Sequence, residues 1–295
     1  MFLITQLIGL YVIGIYNDGF ELPYGMEPPE EIQEAPNQAG SSILIAFVIA
    51  ITLFFFLIKF KAETFIRMWF YAVTCIALGL TLTAFFFEFT TIHYASYIAL
   101  GIAIPLAYLK IFKRHILTHN LTELLIYPGI AAVFVPLLNV LWAIIILLVM
   151  SIYDIWAVWQ TQFMEKMAKF QMNTLQIFGG FLIPYAGEKE KKKIKLLKQK
   201  YSKKGEKELE KQFKKSKIKV NLAILGGGDV IFPLIVAGVF LKSYSTIWPA
   251  LTITLSATLA LTYLLFSAKK GKFYPAMPFL TIGIYFGMIF SWLVF

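Results

Sequence analysis

The chain contains few charged residues, few histidines and a single cysteine. Of its 295 residues, 15% are charged, whereas 59% are hydrophobic and 17% are aromatic. A soluble globular domain contains about 45–50% apolar and about 25% charged residues. This composition excludes an ordinary soluble domain and a disordered chain. The lone cysteine, Cys75, excludes a scaffold held by internal disulfide bonds.

The positive charge is concentrated in one segment. The net charge is +10, and residues 188–219 contain 15 Lys and 5 Glu, so the rest of the chain is neutral overall. Basic runs often bind nucleic acid, but this run lies between hydrophobic spans and contains only two aromatic residues, Tyr201 and Phe213. We interpret it as a solvated loop beside anionic membrane lipid and expect no nucleic-acid partner.

Nine segments are long and apolar enough to cross a bilayer as helices, which requires about 20 mainly apolar residues. The predicted spans are residues 1–16, 41–58, 65–87, 92–110, 122–138, 139–160, 220–241, 246–267 and 274–295. The sequence therefore predicts an all-α membrane protein with nine transmembrane helices. We divide it into an amino-terminal six-helix part (1–160), a loop with an amphipathic and a Lys-rich section (161–219), and a carboxy-terminal three-helix part (220–295).

The distribution of Lys and Arg predicts the orientation of the chain, because these residues favour the cytoplasmic side. With a cytoplasmic amino terminus, 26 of the 27 positively charged residues lie inside, and only Lys242 lies outside. The first outer loop, residues 17–40, agrees, since it contains six acids and no Lys or Arg. We predict a multi-pass protein of the cell membrane with a long basic loop between helices six and seven.

Two carboxylates, those of Asp154 and Asp229, lie within predicted spans and away from their ends. At a rise of about 1.5 Å per residue, Asp154 lies about 9 Å from the cytoplasmic end of helix six and Asp229 about 13 Å into helix seven. Other acids, such as Glu123, fall at or near predicted helix ends, where they reach water. An acid inside a span marks a functional site. Two such acids at similar depth share one proton and can activate water against a peptide carbonyl, although proton-coupled transporters also use paired acids.

Three short stretches accompany these acids. Three consecutive glycines precede Asp229; they form helix poorly and leave room for another backbone, or they serve close helix packing. A tyrosine precedes Asp154, and a Pro-Ala-Met-Pro stretch opens helix nine, where its prolines resist regular helix or simply start it. The glycines Gly226, Gly227 and Gly228 are therefore candidate substrate-binding residues.

Together, the Tyr-Asp pair at 153–154, the Gly-x-Gly-Asp at 226–229 and the Pro-Ala-Met at 275–277 resemble the three signatures of the presenilin and signal peptide peptidase family. Members are intramembrane aspartyl proteases with nine helices, and their third motif is usually Pro-Ala-Leu. The resemblance covers the whole chain in helix count and motif placement. It implies a catalytic dyad of Asp154 and Asp229, water as nucleophile, and transmembrane segments of other proteins as substrates. It also implies that the residues of the other two motifs bind the substrate, namely Tyr153, Pro275, Ala276, Met277 and the adjoining Pro278. The inward-facing long loop resembles presenilin topology, and the compact chain looks like a microbial homologue.

Two other functions remain as alternatives. Prepilin peptidases also use a membrane Gly-x-Gly-Asp, and a proton-coupled transporter would use the paired acids differently. The chain has no Gly-x-Ser-Gly of a rhomboid-type serine protease and no His-Glu-x-x-His zinc motif. His115 and His119 are expected in a solvated loop, and we expect no metal and no organic cofactor. The sequence leaves the oligomeric state open.

A further segment is a candidate for holding the substrate. Residues 177–183 consist of short apolar runs split by glycines. If this segment forms a strand, its exposed edge could bind an unwound piece of the substrate by β-addition.

Overall fold

A computed structural model gives the fold and describes residues 1–27, 36–60, 62–113, 115–160, 177–185, 221–244, 246–267 and 274–295. Within these ranges the chain forms nine helices and one pair of strands. The helices are α1 (Phe2–Asn17), α2 (Pro36–Lys59), α3 (Glu63–Phe86), α4 (Ile92–Phe112), α5 (Ile116–Phe134), α6 (Val140–Ile155), α7 (Gly228–Ser243), α8 (Trp248–Ser267) and α9 (Met277–Val294). The strands are β1 (Gly180–Tyr185) and β2 (Asn221–Gly226), which pair with each other.

Six helical segments in the described ranges are long and apolar enough to cross a membrane. They contain α3, α4, α5, α6, α8 and α9. The prediction of a helical membrane protein is confirmed at this level. The predicted break between helices five and six is also present: α5 ends at Phe134, and the Asn139 side chain caps α6 by accepting the Trp142 N–H at 2.9 Å.

The main difference from the sequence prediction lies at the start of the seventh helix. Residues 220–226 were expected to be helical, but Asn221–Gly226 form β2, and α7 begins only at Gly228. The glycines at 226–228 disfavour helix by about 1 kcal/mol each relative to alanine, and β1 supplies backbone partners for the residues before them. Asp229 is therefore in the first turn of α7, and its predicted depth of about 13 Å within that helix is wrong.

Contacts divide the chain into two compact units. The first comprises Met1–Gly180 and Gly226–Phe295, and the second comprises Phe181–Leu225. The first unit contains all nine helices of the described ranges and every candidate site residue. The predicted amphipathic and Lys-rich sections at 161–176 and 188–219 lie outside the described residues.

Small residues let the helices of the first unit approach closely, as is usual in membrane bundles. Four alanines of α4 recur every four residues and are fully buried: Ala95, Ala99, Ala103 and Ala107. Gly129 of α5 lies directly against the backbone carbonyl of Ala77 in α3, so that even a methyl group would collide there. This tight contact holds α5 against α3, and Tyr127 of α5 lies beside Gly227.

Helix α9 is held on two sides. A Cβ added to Gly283 would lie 2.9 Å from the Ser256 carbonyl oxygen of α8, so these two helices touch almost backbone to backbone. Toward α6, the Tyr285 hydroxyl donates to the Ile144 carbonyl oxygen at 3.1 Å. These contacts hold α9 against α8 and α6. Two of the three predicted motifs lie at the start of α9 and the end of α6.

Candidate active site

Asp154 lies near the end of α6, just before a π-helical turn at Trp156–Gln160. The residue is buried, with 5% of its surface exposed. The backbone N–H of Met277 donates a hydrogen bond of 3.0 Å to its carboxylate, and the Ala276 amide also interacts with that carboxylate. Because a buried carboxylate is costly without hydrogen-bond donors, these amides explain how Asp154 is accommodated.

The proline motif explains why the Met277 N–H is available to Asp154. Residues 274–276 are not helical, and α9 begins at Met277 with Pro278 as its second residue. The first N–H groups of a helix have no acceptor within the helix, and proline is tolerated there because it has no N–H. Asp154 therefore caps α9 from a neighbouring helix. One turn before Asp154 in α6 and one turn after Met277 in α9, the hydroxyls of Ser151 and Thr281 form a buried hydrogen bond of 2.6 Å.

Asp229 lies in the first turn of α7 and is partly buried. A carboxylate is favoured there because the amino-terminal end of a helix carries partial positive charge. The Gly226 backbone amide also interacts with this carboxylate. Helices α6 and α7 pack against each other, and the carboxylates of Asp154 and Asp229 interact electrostatically. The structure thus brings the two predicted acids together.

The three glycines before Asp229 have different surroundings. A Cβ on Gly226 would lie 3.1 Å from Oδ2 of Asp229, and one on Gly227 would lie 2.9 Å from the Tyr127 hydroxyl of α5. Gly228 is exposed, and a Cβ there would be 3.7 Å from its nearest neighbour, an ordinary contact. The first two glycines therefore permit close packing around the carboxylate, whereas the third has room for a methyl group in ordinary contact with its neighbour.

Tyr153 is half-buried in an aromatic cluster. Its ring meets Phe47 of α2 edge to face, with 6.1 Å between centroids, and lies 6.4 Å from the ring of Trp156. Aromatic pairs of this kind stabilise helix packing. The predicted contact between Tyr153 and substrate stays a prediction.

A buried polar cluster beside the glycines was missed by the sequence analysis. Glu123 of α5 is 1% exposed and forms an ion pair with Lys110 of α4. The ring Nε2 of His119 lies 2.8 Å from the Gly180 carbonyl oxygen. The expectations of a water-exposed Glu123 and a solvated His119 are wrong, because α5 begins at Ile116 rather than at 122. The available signal was the four-residue spacing of polar residues, which places them on one helix face.

Metal-binding groups were also sought around the acids. Within the ranges that the structure describes, no three or more His, Cys, Asp or Glu side chains are grouped as metal ligands would be. The chemistry that the arrangement itself offers is acid–base chemistry, since two adjacent carboxylates can hold and transfer one shared proton.

The fold is that of a helical membrane protein, and it places Asp154 and Asp229 on two helices that pack against each other. A family model described as signal-peptide peptidase, presenilin aspartyl protease matches residues 3–295. The chain belongs to this family, and it is therefore an aspartyl protease of the membrane. The identification made from the three motifs is confirmed. The prepilin-peptidase and transporter alternatives are not favoured.

Solved structures support the same fold. Two structures of a presenilin family intramembrane aspartate protease, in space groups C222 and P2, are similar to this chain with a TM-score of 0.60 each. They share 17% and 18% sequence identity with it, and the alignments cover 100% of this chain and 97% and 96% of those chains. At this level of identity the likeness concerns the fold. No curated protein matches the chain.

Proposed function

We propose that Asp154 and Asp229 are the catalytic dyad and that the protein hydrolyses peptide bonds within transmembrane segments of other proteins. The observation that supports this most strongly is the packing of α6 against α7, which brings the two carboxylates within electrostatic range of each other. Each carboxylate also has backbone amides beside it, from Met277 and Gly226 respectively. Such fixed donors orient a carboxylate before the substrate arrives.

Hydrolysis by this pair needs one ionised and one protonated member. The ionised carboxylate accepts a proton from water as the water oxygen attacks the scissile carbonyl carbon, and the protonated carboxyl donates its proton to the carbonyl oxygen. In the second step the tetrahedral diol returns a proton to one carboxylate while the other protonates the leaving nitrogen, and the C–N bond breaks. One proton is again shared at the end. The acid and base roles belong to the pair rather than to either residue.

The substrate must be extended at the bond that is cut, because a helix occupies its carbonyl groups in hydrogen bonds. We propose that the extended segment adds to an exposed strand edge by β-addition. We also propose that Tyr153 and the motifs at 226–228 and 275–278 bind the substrate. The predicted candidate segment, residues 177–183, overlaps β1 (Gly180–Tyr185). A strand at this place supports the proposal.

The decisive experiment is incubation of the purified protein with a model transmembrane peptide, with the products identified by mass spectrometry. We expect two complementary fragments whose masses sum to that of the peptide plus one water. A proton-coupled transporter would instead give no fragments and would show proton-dependent uptake in liposomes. Intact peptide after prolonged incubation would contradict the proposal.

We also propose nine membrane crossings with a cytoplasmic amino terminus, the basic loop lying beside anionic lipid. This orientation predicts the labelling of two exposed residues, Asp18 and Lys113. In a Cys75→Ala background, Asp18→Cys should react with a membrane-impermeant thiol reagent only from outside. Lys113→Cys should react only from the cytoplasmic side. The opposite pattern would indicate the inverted orientation of signal peptide peptidases. The parent Cys75→Ala protein, which has no other cysteine, is the control for background labelling.

The glycines offer a matched pair of substitutions. Gly226→Ala places a methyl group 3.1 Å from Oδ2 of Asp229 and should displace the carboxylate. Because a misplacement of about 1 Å can cost about 100-fold in rate, we expect kcat to fall about 10- to 100-fold. Gly101→Ala, at an exposed glycine of α4 where nothing lies within 4 Å of the added Cβ, should keep nearly full activity. Cleavage rates and thermal melting of both variants check this, and equal losses in the two would argue against the assigned geometry.

A further inference from the structure

A stripe of three titratable side chains runs along one face of α5, a mainly apolar helix that crosses the membrane. His119, Glu123 and Tyr127 follow each other at intervals of four residues, so their side chains lie one above the other. Glu123 and Tyr127 are 1% and 4% exposed, respectively. Polar groups buried at this density in a membrane helix are costly and usually serve the function of the protein.

The stripe contacts two backbone segments near Asp229, one at Gly180 and one at Gly227. At one end, Nε2 of His119 lies 2.8 Å from the carbonyl oxygen of Gly180. At the other end, the Tyr127 hydroxyl lies against Gly227, where an added Cβ would be only 2.9 Å away. The two backbone segments are joined directly, because the Gly227 N–H donates to the Gly179 carbonyl oxygen at 3.1 Å.

The backbone at these contacts requires glycine. Gly180 has a φ of +146°, a conformation that residues with a side chain rarely adopt. The carbonyl oxygen of Gly180 faces α5, where His119 contacts it. Since Gly227 is two residues before Asp229, a shift of this backbone would carry the carboxylate with it.

The ion pair between Lys110 and Glu123 lies next to the ring of His119. The two side chains are 6% and 1% exposed, and the Glu123 carboxylate lies 3.7 Å from Nε2 of His119. A carboxylate at this distance favours the tautomer that carries its proton on Nε2, and only that tautomer can donate to the Gly180 carbonyl in the neutral ring. A buried ion pair of this kind adds little net stability but can fix one geometry.

We propose that His119, held by the Lys110–Glu123 ion pair, is a positioning residue. It fixes the Gly179–Gly180 backbone against Gly227 and thereby the place of the Asp229 carboxylate. This inference rests on the proposed protease function. His119 touches neither the dyad nor the substrate in this role; it acts through the backbone that leads into α7.

The test replaces His119 by glutamine or by asparagine, whose side chains both end in an amide but differ in length. The Nε2 of glutamine can take the place of the histidine Nε2 and donate to Gly180, whereas the shorter asparagine side chain cannot reach it. We expect His119→Gln to cleave a transmembrane peptide nearly as fast as the wild type. We expect His119→Asn to lower kcat about 10- to 100-fold, with KM changed less than about twofold. His115→Asn, at an exposed residue one turn earlier, is the control and should leave cleavage unchanged.

A second measurement does not depend on activity. Hydrogen exchange of the Gly227 amide, read by mass spectrometry, should be faster in His119→Asn than in the wild type and in His119→Gln. Faster exchange with lost turnover supports the proposal, and so does recovery of both by glutamine. Cleavage by His119→Asn within about twofold of wild type, or equal losses in both amide variants with unchanged exchange, would overturn it. A wild-type protein that does not cleave at all would instead refute the proposed function.

Discussion

Substitution of either aspartate by asparagine is expected to abolish peptide cleavage while leaving the fold intact. Asp154→Asn and Asp229→Asn each remove the group that holds or accepts the shared proton, and an amide can do neither at neutral pH. Losing one member of a catalytic unit typically costs about 10⁴-fold or more in rate. Both variants should therefore fall below detection in the peptide assay.

The structure indicates why these variants should fold. The asparagine side-chain oxygen at 154 can still accept the Met277 N–H that the carboxylate accepts at 3.0 Å. A neutral amide is also less costly to bury than a carboxylate. We expect thermal stability to hold or rise in both variants, which melting in detergent would show. This result would separate a catalytic loss from misfolding.

A matched control uses an acid outside the site. Asp18 is exposed just after α1, and Asp18→Asn should cleave at the wild-type rate. Near-normal cleavage by Asp154→Asn or by Asp229→Asn would remove that residue from the dyad. A transporter would give a third pattern, in which the two variants lose proton coupling and no protein of the set produces peptide fragments.

The sequence alone predicted the helices and the two acids because both signals are local. A membrane-length apolar run identifies a helix without knowledge of its neighbours. The cost of an acid within such a run marks Asp154 and Asp229 in the same way. The proline motif was recognised at the start of helix nine, but its hydrogen bond to Asp154 depends on how α6 and α9 pack.

The start of the seventh helix could not be predicted in this way. A short apolar run such as 220–226 has the same hydropathy whether it forms a strand or the first turns of a helix. The choice depends on β1, a partner about 40 residues earlier in the sequence. The glycines at 226–228 were the only local sign that the helix begins later, and the same glycines also fit a role as space for substrate.

The buried cluster on α5 was missed for a related reason. Glu123 lies near the end of an apolar run, where an acid normally reaches water. Its burial depends on the packing of α4 beside α5, which brings Lys110 to it. A pairwise contact between helices cannot be deduced from the hydropathy of either one.

The ion pair between Lys110 and Glu123 leads to the largest expected loss of stability. Lys110→Met keeps the length and apolar stem of the side chain but leaves the buried Glu123 carboxylate without its cation. Breaking a buried pair in this way typically costs about 3–5 kcal/mol. We expect a loss within that range, because the Glu123 side chain is only 1% exposed.

A double-mutant cycle tests whether the pair itself is responsible. Glu123→Gln removes the acid alone, and the double variant Lys110→Met/Glu123→Gln removes both charges, so its loss should be smaller than the sum of the single losses by about 0.5–3 kcal/mol. The control is Lys113→Met, three residues further along the chain and exposed, which should change the free energy of unfolding by less than about 0.5 kcal/mol. Unfolding by SDS in mixed micelles would provide these values. If Lys110→Met lowered the free energy of unfolding no more than Lys113→Met does, the burial of Glu123 would not depend on its pairing with Lys110. The same assay distinguishes the ion pair from His119. His119→Asn should lower the cleavage rate with little change in the free energy of unfolding. Lys110→Met should instead lower the free energy of unfolding.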